Sequence, residues 1–219
     1  MVRAHSVAVV VTLAVAPLLA TGQSGSPVQT WSGTVRINQA AQNSESQHDV
    51  IHNSTATQQA TNAVTITVTN GIAAANIAFD LHEFTDIKDH YDGYDVIGTI
   101  KEDTIGAGPT RDAQVKVSLY DDGTYEIEYR AGGVTGQYTK VQTTQTICKG
   151  DPSCTPSGAT TARETANPTK LGYVGSGVTG TYPKGTQPKS LSGSATEPFD
   201  LFSGTNATGQ TTVTWSLTR

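Results

Sequence analysis

An all-β fold is predicted for this chain, built as an antiparallel β-sandwich, with a closed β-barrel as the alternative. Three observations carry the prediction. Apolar side chains recur at every second residue in several segments and nowhere at helical spacing. The segments are rich in Val, Ile and Thr. They stop at Asn-Gly and Asp-Gly pairs, which turn antiparallel strands. About eight to ten strands are expected in one domain over residues 23–219.

The chain opens with Met1-Val2-Arg3, an apolar run over 7–20 and a small-residue exit at Ala20-Thr21-Gly22. One early cation, an apolar core and small residues at the exit have the anatomy of a secretory signal peptide, assigned to 1–22. The run is cut short by Pro17, Thr21 and Gly22, against the roughly 20 apolar residues of a spanning helix. The mature protein is therefore expected outside the cytoplasm, secreted or periplasmic, with no membrane span. An outer-membrane barrel is not expected, because the inferred strands are short and aromatic residues make up only 6% of the chain.

The first mature strand is 31–37, with Trp31, Gly33, Val35 and Ile37 on one face. The last is 211–218, with Val213, Trp215 and Leu217 on one face. Both are expected in the core and paired with each other, two separate edge strands being the alternative. Residues 38–62 are rich in Gln, Asn, Ser and Thr, with few large apolar side chains, and read as a long low-complexity loop. Residues 64–69 alternate three apolar residues with three Thr, and 75–81 continue with Ala75, Ile77, Phe79 and Leu81 inward. Asn70-Gly71 is placed to turn one into the other.

The clearest local structure is a hairpin over 113–130. A two-residue Asp122-Gly123 turn would set Leu119 against Glu126 and mix the faces. A three-residue loop, Asp121-Asp122-Gly123, sets Leu119 opposite Tyr125, Val117 opposite Ile127 and Val115 opposite Tyr129. Lys116 then faces Glu128, and Gly123 takes the left-handed position of a bulge. Residues 149–196 are dense in Gly, Pro, Ser and Thr and read as a second low-complexity loop. Cys148 and Cys154, the only cysteines, are expected to be joined in an oxidising compartment across the turn-forming 149–153.

Charge excludes one class of partner. There are 14 Lys and Arg against 19 Asp and Glu, net −5, and loss of Arg3 with the leader makes the balance more acidic. With no basic cluster to reverse it locally, nucleic-acid binding is not expected. The densest polar segment is 80–95, which holds His82 and His90 and much of the acid. Asp89, Asp92 and Asp95 around Gly93 could chelate calcium, although their spacing is not that of an EF-hand. His82 and His90 could share a transition metal only if a turn brought them together, since on one strand they stand about 25 Å apart. Tyr91 and Tyr94 offer flat faces for stacking on a sugar, with Asp92 and Asp95 to accept hydrogen bonds from its hydroxyls. The competing structural account is a solvated strand–turn–strand at a sheet edge, turned at Asp92-Gly93.

No Gly-x-Ser-x-Gly elbow, His-Glu-x-x-His, phosphate loop or dinucleotide fingerprint occurs. The function expected is a non-catalytic extracellular module that binds a surface, a polymer such as a carbohydrate, or a partner protein. Two alternatives are carried: a small-ligand carrier with an internal cavity, and a secreted hydrolase using paired carboxylates.

Overall fold

The computed structural model describes residues 30–167 and 170–219; the leader assigned to 1–22 lies outside them. Among the described residues there are eleven strands and no helix: β1 (Ser32–His48), β2 (His52–Thr69), β3 (Ile72–Tyr91), β4 (Tyr94–Thr110), β5 (Ala113–Leu119), β6 (Thr124–Ala131), β7 (Gln137–Cys148), β8 (Thr160–Ala166), β9 (Val174–Thr181), β10 (Ser190–Pro198) and β11 (Thr208–Thr218). Eight form one sheet, in the order β10-β11-β1-β2-β3-β4-β7-β8, and three form a second, β5-β6-β9. Every pairing is antiparallel. The large sheet does not close on itself, so the barrel alternative is set aside in favour of two open layers.

The strand registers explain the packed end of the molecule. β1 pairs with β11, setting Val35 against Trp215 and Ile37 against Val213. On the other side of β1, Val35 meets Ile66 and Ile37 meets Val64. Asn70 (φ 50°) and Gly71 (φ 80°) make the two-residue turn into β3, where Ile66 meets Ala75 and Val64 meets Ile77. The β5–β6 hairpin has the three-residue loop that the burial pattern demands: Leu119 faces Tyr125, Val117 faces Ile127, Val115 faces Tyr129 and Lys116 faces Glu128. Gly123 sits at φ 90°, a conformation that Cβ-bearing residues resist. Its N–H donates to the Tyr120 carbonyl, and the Tyr120 N–H donates to Thr124. The small sheet lies over this end of the large one. Ile127, Tyr125 and Tyr129 join Val35, Ile37, Ile66, Val213 and Leu217 in one core. Trp215 Nε1 donates to the Tyr125 hydroxyl at 3.0 Å, a buried bond that ties the layers together.

Two expectations about loops are corrected. Residues 38–62 are not a loop: they form most of β1 and the start of β2, paired from Gly33↔Val68 out to His48↔Asn53. The hairpin closes at 49–51, where the Asp49 carboxylate accepts the Ile51 and His52 N–H groups. Residues 149–196 likewise contain β8, β9 and most of β10. Strands β1 to β4 run 17 to 20 residues, not the short lengths the apolar alternation suggested. The physical reason is the same throughout. β1 to β4 project past the small sheet, and beyond Ala41 and Ala60 no hydrophobic side chain of the large sheet is buried among the described residues. With no second layer to pack against, the outer halves need no buried apolar face, and backbone pairing with polar cross-strand contacts extends them.

Candidate functional site at the far end of the large sheet

The acidic segment 80–95 lies in the middle of the large sheet, between β2 and β7, rather than at an edge. It forms the outer part of β3 and the start of β4, turned at Asp92-Gly93 with Gly93 at φ 84°. Across the turn, Tyr91 pairs with Tyr94 and Tyr94 with Cys148, placing the three on one face of the sheet. The two tyrosine rings stack, with centroids 4.8 Å apart and planes 15° from parallel. His52 on β2 meets the edge of Tyr91 at 6.3 Å.

A short covalent loop buttresses this hairpin tip. Cys148 and Cys154 form the disulfide. The Lys149 N–H donates to the Gly93 carbonyl at 2.6 Å, and a Cβ on Gly93 would strike Asp151. Asp151 Oδ1 accepts from the Ser153 N–H and hydroxyl, which fixes the turn and holds the Asp151 carboxyl below its usual range. A shallow cavity of about 240 Å³ lies between Tyr94 and this loop, lined by Thr146, Asp151, Ser153, Cys154 and Thr155. Tyr94 therefore has Tyr91 on one side and a cavity rimmed with hydroxyls and a carboxylate on the other.

The three aspartates considered for calcium do not converge. Asp89 pairs in register with His52 and Val96, on the face that carries Tyr91 and Tyr94. Asp95 pairs with His90 and Ile147, on the opposite face. Asp92 is exposed at the turn. Asp89 lies 3.3 Å from His52 Nδ1. Asp95 is only 6% exposed, and a carboxylate so enclosed requires partners: Lys149 Nζ at 2.6 Å and His90 Nδ1 at 2.8 Å. Lys149 first and His90 second hold its carboxyl below the usual aspartate range. His82 and His90 stay apart on the continuous β3, and His82 instead bonds Asp103 at 2.7 Å. Among the described residues no three His, Cys, Asp or Glu side chains are grouped to hold a metal ion.

Two clusters carried no sequence signal. Glu83 and Glu102 stand directly opposite on β3 and β4, in a row Asn43–Gln58–Glu83–Glu102–Lys140–Glu164 that crosses six strands. Asn43 donates to Gln58, and Gln58 to Glu83; Glu102 receives Lys140 at 2.8 Å and the Tyr138 hydroxyl at 2.7 Å. Burial pushes Glu102 up, but Lys140 and Tyr138 outweigh it and hold the carboxyl below its usual value. The second cluster lies at the mouth between the two sheets, where Tyr129, Ser176, Glu197 and Asp200 border a cavity of about 250 Å³. Only the fold assembles such groups, since most of them come from different strands. Asp151 and Ser153 were within reach of sequence reasoning, because the cysteine pair that brackets them was identified.

Comparison with protein-family models, with curated proteins and with solved structures finds no match for this chain.

Proposed function

We propose that this is an exported, non-catalytic β-module that binds a hydroxyl-rich polymer, with a carbohydrate held at the hairpin tip. The observation that supports this most directly is the Tyr94 ring, stacked on Tyr91 and walling a cavity rimmed by Thr146, Asp151, Ser153 and Thr155. A pyranose needs one apolar wall for its C–H face and several oxygens for its hydroxyls, and both are present. The disulfide loop preorganises them, so little ordering entropy is lost on binding. The outer face of the large sheet adds a flat array of hydroxyl and amide side chains. One row runs Ser194–Thr214–Arg36–Thr65–Asn76, and another Ser46–Thr55–Asp86–Thr99–Thr143–Thr161. An extended chain could lie across such rows.

Binding is favoured over catalysis and carriage by the same geometry. The opposed Glu83 and Glu102 lie on an open face and are each already engaged by neighbours. The cavities at the tip and at the inter-sheet mouth, at about 240 and 250 Å³, fall below the size of a typical carrier pocket of about 300–1,000 Å³.

The test is a panel of insoluble polysaccharides and soluble oligosaccharides, read by depletion and by NMR. Tyr94→Ala should weaken retention by at least about tenfold, in line with the loss of an aromatic stacking platform. Retention by no member of the panel, or retention indifferent to Tyr94→Ala, removes the reading. Recovery of the protein from the medium with a new N-terminus near Gln23 checks the export expectation separately.

A further inference from the structure

The apolar core ends at the row Ala195–Val213–Ile37–Val64, and the next row on the same face is Glu197–Thr211–Gln39–Asn62. Here the cavity of about 250 Å³ opens between the layers, partway along β1 and β2 and well away from the hairpin tip that carries Tyr91 and Tyr94. Its lining includes Gln39, Tyr129, Ser176, Glu197, Phe199 and Asp200, and no Lys, Arg or His. Three features set its chemistry. Glu197 and Asp200 bring two carboxylates to the opening, and neither takes part in an ion pair among the described residues. Tyr129, 4% exposed, supplies an enclosed phenol, and Phe199 a second ring. Gln39 is held in place, accepting from Asn62 at 2.9 Å and donating to Thr211 at 3.3 Å.

Burial, offset in part by the Ser176 hydrogen bond and reinforced by the nearby Glu197 charge, raises the Tyr129 phenol to about 12. The phenol thus stays neutral under ordinary conditions and adds no third negative charge. An anion would be repelled by the carboxylate pair. A hard metal ion would find two carboxylates where it needs six or more oxygens. A neutral polyol would leave both carboxylates without a counter-charge. A cation with an apolar stem suits all of the lining: carboxylates for the charge, aromatic faces for cation–π contact, and Ile37 and Val174 for the stem.

We propose that this inter-sheet mouth is a binding site for an organic ammonium group, carried either by a free amine or by a lysine side chain. It is independent of the tip site. The experiment titrates the protein at low ionic strength with 1,5-diaminopentane, with Nα-acetyl-lysinamide and with 1,5-pentanediol as the neutral isostere, read by calorimetry and NMR. Saturable binding of the diamine, of the lysine amide, or of both supports the site and identifies the source, with the diol silent. Charge neutralisation by Glu197→Gln with Asp200→Asn should weaken binding by at least about tenfold, since each carboxylate removed is a charged partner lost. Both side chains are exposed, so the double variant should melt with the parent. Tyr94→Ala should leave amine binding unchanged, which separates this site from the proposed sugar site. Equal binding of the diol, indifference to the double substitution, or no saturable binding of either amine overturns the proposal.

Discussion

The two ends of the large sheet are built on different physics. At the near end, β10, β11, β1, β2 and β3 bury one face against β5, β6 and β9, and every large fully buried side chain lies there. At the far end, β1 to β4 with β7 and β8 have no covering strands; polar side chains predominate there, and apolar ones such as Phe84, Ile87, Val96 and Ile100 are scattered over both faces without being buried. What holds the far end is the backbone ladder and a lattice of cross-strand pairs: His52–Asp89, His82–Asp103, His90–Asp95, Lys140–Glu102 and the Asn43–Gln58–Glu83 chain. Each such pair contributes roughly 0.2–1 kcal/mol, against about 1.5–3 kcal/mol for a fully buried apolar side chain. The lesson is that strand length and strand stability separate. A ladder can run on for many residues after the core has stopped, at the cost of a region that opens more readily.

The widest gap between the ends should come from Trp215→Ala. It removes one of the two core tryptophans along with the bond to Tyr125, and should cost about 3–5 kcal/mol of global stability by denaturant unfolding. Amide protection should fall everywhere, because the far end cannot stand without the near one; loss confined to β11 would break the comparison. Next comes Cys148→Ser. The closed loop is short, so the entropic loss is about 2 kcal/mol, and hydrogen exchange should rise around 91–95 and 146–155 while β5, β6 and β11 are unmoved.

Acid sharpens the contrast in a graded way. Asp95 is held low by Lys149 and His90, and Asp103 by His82 and Lys101. A carboxyl lowered in the folded state stabilises fully above its unfolded pKa, and loses that contribution as pH falls from there through the folded value. Far-end amides should therefore lose protection below about pH 4, ahead of the core amides of β1 and β11. Protection falling in step at both ends would contradict this. The smallest effect belongs to Lys116→Ala on the exposed side of the β5–β6 hairpin. Its pair with Glu128 is open to solvent on both sides, so the loss should stay below about 1 kcal/mol.

The same division explains what was legible in the sequence. Residues 64–69, 75–81, 113–130 and 211–218 show alternation because each turns one face to the core between the layers, and in the 113–130 hairpin the register follows from it. The segment 38–62 reads as a loop because Ser, Thr, Gln and Asn occupy both faces, and a ladder stitched by polar pairs leaves no apolar period to detect. β9 was hidden for another reason. Gly175, Gly177 and Gly180 dilute its apolar signal, and the Tyr125 ring lies against Gly180, where a side chain would collide. Of the tip site, Tyr91, Tyr94 and the cysteine pair were visible as neighbours in the chain. Thr146 and Asp151 became partners of Tyr94 only through the β4–β7 register. Glu197 and Asp200 lay beyond or beside the expected loop, and nothing local marks them as the rim of a cavity.

Ser32 and Thr218 lie side by side at the start of the β1–β11 ladder, which runs inward to Gln42↔Thr208. A force pulling these two points away from each other acts across the strands rather than along them. The ladder would then open rung by rung, like a zip, instead of resisting as a sheared block. Stretched between Ser32 and Thr218, these layers should yield at low tension. Held at only one of these two points, they should stay together.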